Sequence, residues 1–143
     1  MEGLAGAASA FAVVQLADRI LTLCGSYALA VKDAKTDIER LGTEVESLQS
    51  VLKRVSEVVE NDATKLYASQ SAMRQMEKII KSCQSTLVEL EDKLDPKKGK
   101  KGMSRFGLRA MKWPFKRDEV TNIIDSLNRH KGTVALALNV DQR

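Results

Sequence analysis

Aromatic residues make up only 4% of this 143-residue chain, and it has two prolines, Pro96 and Pro114. Strands of a β-sandwich draw on aromatic and β-branched side chains, so the scarcity favours helices. Cysteine is almost missing. Cys24 and Cys83 lie far apart and match no metal or redox spacing, which predicts two reduced thiols packed in a core. No basic leader opens the chain, since Glu2 carries the wrong sign, and the compartment expected from this is the cytosol. The lone histidine, His130, stands between Arg129 and Lys131 with no cysteine near it, so a solvated or edge-of-core role is expected. The stretch KKGKKG lacks the preceding strand and the Gly-Lys-Ser/Thr ending of a P-loop. Without paired carboxylates, a triad or zinc spacing, the reading is no enzyme: no catalytic residue, no cofactor and no metal. A membrane-length apolar run is lacking too. The charge-free segment from Gly3 to Ala17 stops after 15 residues at Asp18-Arg19, short of the about 20 that a spanning helix needs.

What is present is helical periodicity. Hydrophobic residues at 43% and charged residues at 29% suit one soluble globular core. Ile38, Leu41, Val45, Leu48, Leu52, Val55 and Val59 follow at alternating spacings of three and four, and Met73, Met76, Ile80, Cys83, Leu87, Leu90 and Leu94 repeat the pattern. Such stripes are the seams of helices packed side by side. A turn is expected at ENDATK, residues 60–65, with Asp62 as a helix N-cap. A third stripe, Val120, Ile124, Leu127, Val134 and Leu138, is broken by Lys131 and Gly132. It predicts a last helix over about 115–139, with Pro114 in its first turn and Asp118 and Glu119 complementing its dipole.

The first helix should cover about residues 3–31. Its polar positions Gln15, Asp18 or Arg19, Thr22 and Ser26 form one narrow wet stripe, and Gly25-Ser26 predicts a kink. The fold class expected is therefore all-α: a four-helix bundle with a long kinked N-terminal helix and a short extra helix in the basic loop before the last helix. One domain over 1–143 is expected, with a basic connecting segment at 95–117. Within the first helix Gly3 and Ala7, Gly6 and Ala10, and Ala8 and Ala12 are each four apart, the small-xxx-small spacing that lets helices approach closely in lipid. Ala is also the best helix former, and small residues equally let a central helix sit tightly in a soluble bundle. At rest, Phe11, Val14, Leu21 and their neighbours are expected inside the bundle.

The charge is local. Lys97, Lys98, Lys100, Lys101, Arg105, Arg109, Lys112, Lys116 and Arg117 fall in one stretch without an acidic residue, so a net charge of +4 becomes −5 once those nine are set aside. Met103, Phe106, Leu108, Met111, Trp113 and Phe115 interleave with them. Cations mixed with apolar rings are what a segment needs to lie on an anionic membrane surface. The alternatives are that Trp113 and Phe115 close the end of the bundle while the lysines solvate a loop, or that the patch serves nucleic-acid phosphates. No nucleic-acid motif accompanies it.

The opening MEGLAGAASAFAVVQLADRILTLCGSYALAVKDAKTDIERLGTEVESLQSVLKRV and the tail WPFKRDEVTNIIDSLNRHKGTVALAL resemble the HeLo-like N-terminal domains of fungal NOD-like receptors and cell-death effectors. Those domains are similar in outline to the four-helix domain of mixed lineage kinase domain-like proteins and to the coiled-coil and RPW-type domains of plant resistance proteins. The resemblance implies an executioner of fungal programmed cell death and heterokaryon-incompatibility-type immunity, one domain of a longer chain. It would be activated by oligomerisation, self-associating when an upstream NOD-like receptor or an amyloid-motif partner gathers copies. It would be cytoplasmic at rest and would relocate to the plasma membrane, acting on anionic membrane lipids. The membrane-insertion helix would carry Gly3, Leu4, Gly6, Ala7, Ala10, Phe11, Val13, Val14, Leu16, Ile20, Leu21 and Leu23. The lipid-headgroup patch would be Lys97, Lys98, Lys100, Lys101, Arg105, Arg109, Lys112, Trp113, Lys116 and Arg117. The rival expectation is a soluble helical adaptor that recruits partner proteins in NOD-like receptor signalling.

Overall fold

A computed structural model describes the backbone of residues 2–61, 70–95 and 112–141, and the side chains of residues 10–57, 74–95 and 112–138. Four helices account for nearly all of it: α1 (Glu2–Ala30), α2 (Lys35–Asn61), α3 (Gln70–Leu94) and α4 (Arg117–Asp141). Among the described residues there is no strand. The all-α four-helix expectation therefore holds. The short helix expected in the basic loop falls on residues 96–111, outside the described residues, as does Asp62.

The stripes read from the sequence are the faces that pack. In α2, Ile38, Leu41, Val45, Leu48, Leu52 and Val55 are all buried; in α3, Met76, Ile80, Cys83, Leu87, Leu90 and Leu94 are. Val120, Leu127, Val134 and Leu138 bring α4 to the same core, with Ile124 half-buried against it. Lys131 occupies the gap in that stripe. Its ammonium reaches Glu44 Oε1 at 3.5 Å and donates to Ser47 Oγ at 3.2 Å, so the break in the apolar pattern is a polar tie from α4 to α2.

Helix pairing follows from which seams close. α1 packs against α2 and α3, and α4 packs against the same two, so α1 and α4 occupy opposite corners of the bundle. The four-residue turn at 31–34 folds α2 back on α1. Along the α3–α4 seam, Gln75 and Lys78 lie level with His130 and Thr133, while Glu89 and Lys93 lie level with Asn122 and Ile123; these two helices are antiparallel.

Chain ends of the helices are closed locally. Val31 N–H donates to Tyr27 O at 2.7 Å, and Ile38 N–H to Ala34 O at 2.9 Å opens α2. At α4 the sequence placed Pro114 within the first turn, but the helix begins three residues later. Lys116 is the capping position: its N–H donates to Glu119 Oε1 at 3.1 Å, and its carbonyl accepts the first helical bond from Val120. Phe115 and Val120, both buried, occupy the two positions of a hydrophobic staple around that cap. Pro114 is thus part of the extended approach to the helix rather than of the helix.

Candidate functional site: the fastening of the first helix

α1 has one face in the core and one in water. Ala10, Val13, Val14, Leu16, Ala17, Ile20, Cys24 and Tyr27 are buried, and Leu21 and Leu23 are half-buried against them. Gln15, Asp18, Arg19 and Thr22 are exposed, as the wet stripe predicted, and Ser26 at its end is half-buried. Phe11 is the correction. Expected inside, it stands 55% exposed, because α1 packs mainly against two neighbours and position 11 lies in neither seam. Gly3, Leu4, Gly6 and Ala7 are helical in backbone, and their side chains lie outside the described residues. Gly25 and Ser26 do not interrupt the helix. No heavy atom lies within 4 Å of a Cβ built on Gly25.

Two adjacent residues on the wet stripe reach in opposite directions. Asp18 Oδ1 accepts from Gln49 Nε2 of α2 at 2.6 Å, and the same amide donates to the Val14 carbonyl at 3.0 Å. Arg19 Nε donates to Glu91 Oε2 of α3 at 2.7 Å. Gln49 and Glu91 are buried, at 4% and 6% exposure. A buried amide or carboxylate is costly unless its hydrogen bonds are made, so each is satisfied by α1 in place. Neither partner was read from the sequence. The signal was there: Gln49 follows Leu48 and Glu91 follows Leu90, and each sits one residue past a stripe leucine, where polar side chains pair between packed helices.

A third tie closes the far end of α1. The Tyr27 hydroxyl donates to Leu94 O at 2.6 Å, a carbonyl at the end of α3 with no partner of its own in the helix. Trp113 meets Tyr27 edge-on at 5.3 Å between ring centroids and meets Phe115 in the same way at 5.3 Å. Burial, then the charge of Asp95, then Cys24 raise the Tyr27 hydroxyl above its ordinary pKa of 10.0. Trp113 is half-buried in this aromatic corner, where its ring and that of Phe115 cover one end of the bundle. Lys112, Lys116 and Arg117 are exposed beside it. Lys97, Lys98, Lys100, Lys101, Arg105 and Arg109 lie outside the described residues.

Both thiols are free and buried, and burial pushes each up to about 11. His130 is half-buried at the core edge, its Nε2 at 2.9 Å from Thr86 Oγ1. Among the described residues no group of His, Cys, Asp or Glu is placed to hold a metal, and no helix is long and apolar enough to cross a membrane.

Fold and site together define a class: an all-helical bundle whose N-terminal helix is held in place by side-chain ties to two neighbours. Within it, the family model of the pigment biosynthesis cluster protein PigL N-terminal domain matches residues 1–141, and the chain belongs to that family. Neither a curated protein nor a solved structure matches it.

Proposed function

We propose that this bundle is a HeLo-like membrane-permeabilising domain of cell-death signalling, in which assembly of several copies draws α1 out of the bundle and into lipid. The observation that carries the reading is how α1 is held. Among the described residues, every side-chain tie from α1 to another helix falls between Val14 and Tyr27, at Val14, Asp18, Arg19 and Tyr27. Of the residues before Val14 whose side chains are described, Ala10 and Val13 are buried by apolar packing and Phe11 is exposed, and hydrocarbon replaces such contacts at little cost. Burial at about 25 cal/mol per Å² retains the helix in water, where no such alternative exists.

A 15-residue charge-free segment is too short for a solitary crossing. Permeabilisation on this reading needs several α1 helices side by side, for which the glycines and alanines at four-residue spacing are suited. The exposed Lys112, Lys116 and Arg117 supply positive charge toward anionic headgroups, each worth about 1 kcal/mol near the surface. The family description, an N-terminal domain, supports a module at the front of a longer chain.

One observation favours the second reading, a soluble adaptor. Ala10, Val13, Ala17 and Ile20 are fully buried, which is how a permanent core helix is packed. That reading expects no leakage and slow amide exchange along all of α1.

A reversible bridge separates the two. In an Asp18→Cys, Gln49→Cys variant, a short cleavable thiol cross-linker ties α1 to α2, while Cys24 and Cys83 stay buried and protonated. Dye release from anionic liposomes is expected to fall on bridging and to return on cleavage. Equal release in the bridged and cleaved protein overturns the proposal, and no release from either supports the adaptor.

A further inference from the structure

On the side of the bundle away from α1, the antiparallel seam of α3 and α4 opens into a furrow of about 460 Å³. Lys78 and Ser82 line it from α3; Ser126, Arg129, His130 and Thr133 line it from α4. None of its lining residues is acidic. Further along, the furrow passes Glu89 and Lys93, so the charge is mixed there and of one sign here. Among the described residues Lys78 and Arg129 make no ion pair. A cleft lined by one sign of charge focuses its field into the cavity and concentrates counter-charge there.

The hydrogen-bond directions add to this. Arg129 donates to Ser126 Oγ at 3.3 Å, which leaves the Ser126 proton free to donate elsewhere. The Thr86 hydroxyl donates to Ser82 O at 3.2 Å. With that proton on the carbonyl, it accepts from His130 Nε2–H at 2.9 Å; turned the other way, it donates to a bare Nε2. In either arrangement neutral His130 has one ring nitrogen that can take a second proton. The charged groups that line the furrow with it are Arg129 on its own helix and Lys78 on α3, while on the α2 side of α4 Glu44 is taken by Lys131. An arriving anion would offset both cations and favour the imidazolium.

We propose that this furrow binds a phosphomonoester, with Lys78 and Arg129 gripping the phosphate oxygens from facing helices and Ser126 donating a hydrogen bond between them. The guanidinium fork suits two phosphate oxygens at once. The site is separate from the fastening of α1 and does not depend on the membrane reading. The same chemistry is offered by a soluble phosphorylated metabolite or by a phosphomonoester lipid headgroup.

The test is an amide and side-chain NMR titration of the full chain with inorganic phosphate against chloride at equal ionic strength. Shifts are expected to centre on Ser82, Ser126, Arg129, His130 and Thr133, with the His130 pKa rising as phosphate is added. Lys78→Glu and Arg129→Glu should each weaken phosphate binding about tenfold, and Lys112→Glu should leave it unchanged. Phosphatidylcholine vesicles carrying phosphatidic acid, set against the same vesicles carrying phosphatidylserine, identify the source. Retention on phosphatidic acid that Arg129→Glu abolishes points to the lipid; phosphate shifts without such retention point to the soluble ester. Absence of furrow shifts, or binding indifferent to both charge reversals, overturns the proposal.

Discussion

Arg19 Nε on α1 lies 2.7 Å from Glu91 Oε2 on α3, and the two ends of this pair live in different media. The Arg19 side chain keeps 60% of its exposure and that of Glu91 keeps 8%. Water screens the guanidinium, so the pair is worth about 1 kcal/mol at most. Arg19→Ala should lower stability by that amount and raise transient opening of α1 about fivefold. Hydrogen exchange along α1 reads it; protection that does not change would show that the pair fastens nothing.

Gln49 is the more deeply placed tie. Gln49→Ala removes two hydrogen bonds and leaves a void beside α1, for an expected loss of about 2 kcal/mol in denaturant unfolding. Gln49→Leu keeps the volume. It leaves only the exposed Asp18 carboxylate and a helical carbonyl to water or to the helix, so its cost should be less than half as large. Equal costs for the two variants would mean that hydrogen bonding, not packing, is what Gln49 supplies.

The buried thiols give a pH dependence of known sign. Cys24 and Cys83 rise from 9.0 to about 11 on folding, so above pH 9 the unfolded chain releases protons that the folded chain keeps. Stability contributed by each thiol is then complete below pH 9 and falls as pH climbs toward 11, at up to about 1.4 kcal/mol per pH unit. Urea unfolding across that range should show a shallower decline in Cys24→Ala and Cys83→Ala variants. A thiol reagent used at neutral pH should label Cys24 only when α1 opens.

His130 acts at the other end of the scale. Burial, and then the charge of Arg129, lower its pKa from 6.5. The unfolded chain thus binds the proton first as pH falls. Stability from this group is present above pH 6.5 and is lost in acid as the imidazole is forced to charge. The acid limb of the stability profile should flatten in His130→Gln, and an unchanged limb would assign acid sensitivity to carboxylates instead.

Gly25 sits in unbroken helix with open space where a side chain would go. Gly25→Ala should therefore stabilise the protein by on the order of 0.5–1 kcal/mol, since the glycine loses more backbone freedom on folding. A lowered melting temperature would show that the backbone at Gly25 needs a freedom that Ala lacks.

The seams of α2 and α3 were legible because burial on a helix follows its 3.6-residue period, and Leu41, Leu48, Leu87 and Leu94 obey it without exception. The edge-of-core place of His130 and the burial of both cysteines were legible for a similar reason: each sits where the pattern of its neighbours puts it. Phe11 was misplaced because a helix apolar over most of its surface does not say which part meets a neighbour. The ties through Gln49 and Glu91 were missed because polar residues beside a stripe look the same whether they face water or a partner helix.

Residue order alone thus determined that the described residues make four amphipathic or apolar helices and which side of α2, α3 and α4 turns inward, since both depend on local spacing. The assignment of partners, with α1 and α4 at opposite corners, Asp18 to Gln49, Arg19 to Glu91 and Lys78 level with Arg129 across a furrow, was decided by tertiary packing. Periodicity specifies a buried face but carries no information about which other face will cover it.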